Sequence, residues 1–283
     1  MSQPKLHHYV PQFHLRRFVN RQGRFWVWDK TADKIFSTGP NRIAAERNFY
    51  SLAGLISPNE DAMTMERQFS ELEHQASVIT SQWISWLDDL PDGERIELPE
   101  VNRELMSQYI TLQFLRTADT RDILSLLADT SSIPKELSDE DRRNLHTTLL
   151  WDQSTVDRIK NHVHDSIWVF GRNPTSTPFL TSDNPVAFRS SDNAMWLKVG
   201  YLSNGTYVVF PLTPRFILYC YPKEPPWKRL AQYDGCLSPV RFTTEMVVSE
   251  NSGQVFMASR FIISQLNNFA DEREFAKTIG TDS

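Results

Sequence analysis

The spacing of apolar residues changes twice along this chain. From Asp61 to Asp88, Met65, Phe69, Leu72, Ala76, Ile79, Trp83 and Trp86 recur every three or four positions, and no Pro or Gly interrupts them. That is the period of one helix face, and Pro91 and Gly93 end it. A second helix is predicted from Pro99 to Asp129. Its Leu105, Met106, Tyr109, Ile110, Leu112, Phe114 and Leu115 cover more than one face, as in a central, buried helix. Ser138, with Asp141 three residues on, predicts the cap of a third helix running through Leu145, Leu149, Val156, Ile159 and Val163.

On either side of this helical stretch the apolar runs are short and β-prone. The chain opens extended through Val10, and Pro11 suits the first position of a short helix to Phe18. Phe25–Trp28 and Ile35-Phe36, parted by a polar turn, predict a hairpin. After Asp165 come Ile167–Phe170, Phe179–Thr181, Val186–Phe188, Tyr207–Phe210 and Phe216–Tyr221, with Asn204-Gly205 as a hairpin-turn signal. A helix from about Ser238, a strand near Phe261–Ile263 and a polar surface tail after Asn267 complete the pattern. Segregated elements of this kind predict an α+β fold: an N-terminal hairpin segment, a central helical region and a C-terminal antiparallel or mixed sheet. With no linker evident, residues 1–283 are expected to form a single domain, its helical portion of about 60–165 inserted between β-rich portions.

Composition narrows the classes. Of 283 residues, 40% are hydrophobic and 12% aromatic, which excludes a disordered chain and supports a sizeable core. The formal charge of -5 lacks the basic signature of a nucleic-acid binder, although Arg16, Arg17, Arg21 and Arg24 make a local basic patch. Cys220 and Cys236 form no CxxC pair, as expected of thiols in a reducing compartment. Neither a signal peptide nor a membrane-spanning run is evident, so a cytoplasmic address and no membrane partner are expected.

Three polar clusters carry the candidate chemistry. His7-His8-Tyr9 sets two imidazoles beside a phenol, suited to acid–base work or metal ligation. Neighbours in an extended segment point to opposite sides, so His7 and His8 are not expected to share one ion. Thr181-Ser182-Asp183-Asn184-Pro185 offers a carboxylate, an amide and two hydroxyls at a strand end. Arg116 lies within a helical turn of Asp119 and Thr120, with Arg121 next. A buried arginine requires a carboxylate or an anionic ligand, and Glu73 and Asp183 are the candidate partners. Each cluster also has a plain reading: an exposed histidine pair, an ordinary Asx turn and a structural ion pair. The phosphate-loop, dinucleotide, zinc-protease, nucleophile-elbow and calcium-loop motifs are all missing.

At these residues the chain resembles a bacterial family known as domain of unknown function 4238. The resemblance rests on His7 to Phe18, Trp26-Val27-Trp28-Asp29-Lys30, Glu46-Arg47-Asn48-Phe49-Tyr50, Phe179 to Val186 and Phe210-Pro211-Leu212-Thr213-Pro214. Glu73 matches an acidic position, and Ala118 replaces the family's proline after Arg116-Thr117. Asn251, Ala258 and Arg260 fit more loosely. The resemblance implies that the polar clusters belong together, and it supplies no activity.

The leading expectation is a hydrolase of phosphate esters, in its finer form a metal-dependent nuclease of a bacterial defence or toxin system, acting on a small-molecule or nucleic-acid substrate. His8, Glu73, Arg116, Asp183 and Asn184 would be catalytic. His8 and Asp183 would hold a divalent metal ion, and His7, Tyr9, Thr181, Ser182 and Arg121 would bind substrate. One alternative is a non-catalytic module that binds a nucleotide or another anion. Another is a nicotinamide-nucleotide-dependent transferase with His8 and Tyr9 at the site.

Overall fold

The computed structural model describes residues 6–47, 64–121, 138–198 and 205–279. The opening strand β1 (Leu6–His8) leads into α1 (Gln12–Leu15), which tightens into a 3₁₀ turn over Arg16–Phe18. Pro11 caps that helix, one place earlier than expected. The hairpin forms as predicted, β2 (Phe25–Asp29) against β3 (Lys34–Thr38). Next, β4 (Ala45–Arg47) returns to pair with β1 and sets Glu46 opposite His7.

Helix α2 (Thr64–Asp89) follows the predicted stripe, burying Phe69, Ala76, Trp83 and Leu87. The Trp83 indole meets Trp168 and Phe170 edge-on, at centroid distances of 6.1 and 5.5 Å, which anchors the helix on the large sheet. After β5 (Ile96–Glu97), α3 (Glu100–Leu115) runs through the interior. The predicted single helix from Pro99 does not persist: α3 stops at Leu115, and helical residues resume at Ala118. Side chains take over the carbonyls that the break strands. Thr117 Oγ1 and Thr120 Oγ1 both donate to the Phe114 carbonyl, and the His146 imidazole meets that of Leu115 at 2.7 Å. The continuation towards Asp129 lies outside the described residues.

The Ser138–Asp141 capping box is present and starts α4 (Asp139–Trp151). The third predicted helix is in fact two, because Asp152 ends α4 and its carboxylate caps α5 (Gln153–His164) by accepting from Ser154 N–H. The strands that follow are β6 (Ile167–Arg172), β7 (Thr181–Ser182), β8 (Ala187–Arg189), β9 (Trp196–Leu197), β10 (Tyr207–Pro211), β11 (Phe216–Tyr221), β12 (Cys236–Leu237) and β13 (Val240–Arg241). Asn204 of the expected hairpin turn lies outside the described residues. A mixed sheet runs β13-β6-β11-β10-β8-β9, with only β13 and β6 parallel.

The expected helix near Ser238 begins later, at α6 (Thr244–Met257), because residues 240–241 join the sheet first. Gly253 sits inside α6 because the Trp196 indole rests on it; a Cβ there would stand 2.5 Å from the ring. Strand β14 (Phe261–Ser264) then completes a second sheet, β3-β2-β14-β7. The polar tail lies at the surface as expected, with Phe269 its one buried residue among those described. Phe269 is buried among Trp28, Leu180, Val255 and Ile262, and α7 (Ala270–Thr278) follows it. The main core draws residues from Tyr9 to Ile263 into one cluster. This is an α+β fold in which β1, α1, α2 and the end of α3 come together.

Candidate functional site

That meeting point encloses a pocket of about 450 Å³. His7 and His8 reach it from β1, Gln12, Phe13 and Arg16 from α1, Phe69, Ser70, Glu73, His74 and Ser77 from α2, and Arg116 from the end of α3. Residues 70, 73, 74 and 77 stand at helical spacing, one polar stripe beside the buried one. Gln12 and Arg16 are a turn apart on α1 and bonded at 2.8 Å.

Arg116 is the deepest charge. Its guanidinium donates to Glu73 Oε1 at 2.7 Å and to Gln113 Oε1 at 2.8 Å, with its Cζ 5.3 Å from the centre of the Phe69 ring. Gln113, itself buried, donates onward to the Tyr9 carbonyl at 3.1 Å. A continuous hydrogen-bonded chain thus joins Tyr9, just past β1, to α3 and α2.

His8 is half-buried, and its Nε2 has no hydrogen-bond partner among the described residues. Burial lowers its pKa below the usual 6.5. A backbone hydrogen bond to Asn41 and the charge of Glu73 oppose the shift, while Arg116 and Arg16 add to it. The ring is therefore neutral at pH 7. With its other nitrogen donating to the Asn41 backbone, Nε2 carries the lone pair.

The remaining expected site residues lie elsewhere. Tyr9, just past the end of β1, is buried and does not line the pocket. Arg121 grips both oxygens of Glu46 at 3.1 and 3.0 Å, bracing β4. Thr181 Oγ1 pairs with His14 Nε2 at 3.0 Å, and Ser182 donates to Gln254 Oε1. Asp183 accepts the backbone N–H groups of Ser259, Arg260 and Phe261 at 2.8–3.1 Å. Burial pushes its pKa up to about 6 against those bonds. Asn184 donates to Asp119, which also accepts Lys198 at 2.5 Å. These contacts correct the expected common centre. Asp183 is held by the loop before β14 and the Asn184 amide N–H by Asp119, while Asn184 Oδ1 is buried with no hydrogen-bond partner among the described residues; neither residue lines the pocket, so His8 and Asp183 do not form the expected metal pair. Among the described residues no three His, Cys, Asp or Glu stand together as a metal-ligand set. The helical break at Thr117 likewise separates Arg116 from Asp119, which were expected on one face.

A family model described as Protein of unknown function (DUF4238) matches residues 6–267. The chain belongs to this DUF4238 family. No curated protein and no solved structure matches it. Among the described residues no helix is long and apolar enough to cross a membrane.

Sequence reasoning missed several residues of this DUF4238 chain. Gln12, Arg16, Ser70, His74 and Ser77 were available as i, i+3 and i+4 stripes but look like ordinary solvent faces. His14, on α1, is fully buried and stacked on Phe210, and burial drives its pKa down to about 3. It therefore stays neutral in the folded state but protonates below pH 6.5 once unfolded, so its share of stability is lost as pH falls from 6.5 towards 3. Wild type is expected to lose about 2 kcal/mol more than His14→Gln between pH 7.5 and 5.0. Urea unfolding of both proteins at the two pH values checks this, and parallel losses would contradict it.

Proposed function

We propose that the pocket between β1, α1, α2 and the end of α3 binds a phosphate-bearing ligand and hydrolyses its phosphate ester. The observation that carries the reading is the convergence of His8, Glu73 and Arg116, from distant segments, on one cavity, together with a His8 Nε2 that is buried and unpartnered among the described residues. In this mechanism neutral His8 takes a proton from the attacking water as the new P–O bond forms. Arg116 meets the charge that develops on the phosphoryl oxygens. His74, lining the same pocket, supplies a proton to the ester oxygen as the P–O bond to it breaks. Gln113 and Phe69 hold the Arg116 guanidinium in place beforehand.

The finer expectation of a divalent-ion nuclease has less support. The donor groups it needs do not gather among the described residues, and the formal charge of -5 gives no general attraction to nucleic acid. The transferase reading needed His8 and Tyr9 together, and only His8 lines the pocket. One observation favours binding without turnover: Glu73 and Gln113 already occupy Arg116, as in a static recognition site.

A panel of phosphomonoesters, nucleotides and short single-stranded DNA and RNA, with and without chelator, tests the proposal. Wild type is expected to release phosphate or cleaved product, and His8→Ala to lose that activity. A compound that raises Tm and is recovered unchanged would favour the binding module. Neither turnover nor a Tm shift across the panel would contradict both readings.

A further inference from the structure

Two of the hydrogen-bond partners of Arg116 differ in character. Gln113 is buried and fixed from behind by its bond to the Tyr9 carbonyl. The Glu73 side chain is 27% exposed, against 3% for Arg116, and stands on the pocket wall of α2. One partner is built into the interior, whereas the other is a carboxylate at the solvent side of a buried cation.

We propose that Glu73 is an internal anion that holds the seat of the ligand's phosphate, and that binding proceeds by exchange of its carboxylate for a phosphate oxygen on Arg116. This rests on the pocket reading given above and adds a regulatory contact to it. A carboxylate and a phosphate oxygen offer the same acceptor chemistry to a guanidinium, and both suit its planar fork. Two anions on one cation in a half-enclosed site repel each other, so the incoming phosphate gains Arg116 only as Glu73 turns outward. The exposed side of Glu73 gives that carboxylate water to move into. Gln113 and the Phe69 ring keep the guanidinium from following it. In the empty pocket the same contact keeps a buried charge from being left uncompensated.

The test is calorimetric titration of the full-length protein with inorganic phosphate at constant ionic strength, for wild type, Glu73→Gln, Glu73→Asp and Arg116→Gln. Glutamine still accepts a hydrogen bond from Arg116, so Glu73→Gln is expected to fold with a lowered Tm and to bind phosphate about tenfold more tightly. Added phosphate is expected to raise its Tm by more than it raises that of wild type. Glu73→Asp keeps the competing charge and is expected to stay near wild type, while Arg116→Gln loses binding. If wild type binds and Arg116→Gln does not, yet Glu73→Gln binds equally or more weakly, the exchange is overturned and the pocket reading survives. If no protein binds phosphate, both are overturned.

Discussion

His8→Ala is expected to lower kcat/KM for phosphoester hydrolysis by about 10²–10⁴-fold, the usual range for removing a general base. Stability should change little by comparison, because His8 is only half-buried and its Nε2 holds no bond to another described residue. The pH profile separates proton transfer from mere packing. The reactive form is the neutral ring, and its pKa is lowered from 6.5 by burial, so the acidic limb of the rate profile should lie below pH 6.5. His8→Gln keeps a polar side chain of similar reach but cannot take the proton, and it should lose both the rate and that acidic limb. A variant that retained full turnover with an unchanged profile would remove His8 from the chemistry.

The largest effect on stability is expected at Arg103. This buried guanidinium donates to the His164 carbonyl at 2.8 Å, to Asp234 at 2.7 Å and to the Ser166 carbonyl, with its Cζ 5.1 Å from the centre of the Trp168 ring. It closes the carbonyl end of α5 and the turn into β6 in one stroke. Asp234 also accepts the Trp168 N–H at 3.0 Å, so the same carboxylate fixes the start of β6. Arg103→Ala would leave two carbonyls and a carboxylate short of donors and is expected to cost about 3–5 kcal/mol. Lysine preserves the charge without the three-way fork and should recover only part of the loss. Guanidinium unfolding at pH 7 measures both, and a loss below about 1 kcal/mol for alanine would contradict this assignment.

The buried stripe of α2 was legible because a period of three to four over seven residues has one structural meaning. The hairpin 25–38 was legible from β-prone apolar runs on either side of a polar turn. The end of α3 was not. No Pro or Gly marks residues 115–118; the helix stops where two threonines and His146, from another helix, take its carbonyls, and only the folded arrangement brings these together. The surface position of the tail was legible from its polarity, whereas its one buried anchor, Phe269 in the second core, was not.

At the site, the demand of Arg116 for a carboxylate could be read from the helix it occupies, and Glu73 answers it at 2.7 Å. The Thr181–Asn184 run was less readable. The same short polar side chains serve an open site or a turn, and here they bind the loop before β14, helix α6, His14 and Asp119. Gln113, a polar residue in an apolar helix, gave no signal of its own; it matters through its two partners.

Everything above depends on His7, His8 and His74 facing one anion-binding pocket while His14 and His146 lie sealed in the core. Imidazole carbon–proton NMR of the wild-type protein during titration with inorganic phosphate tests this most directly. Resonances of His8, His7 and His74 are expected to shift together along one saturable curve, with the His8 pKa rising, and those of His14 and His146 to stay fixed. A His8 signal that moved no more than the His14 signal would contradict the account.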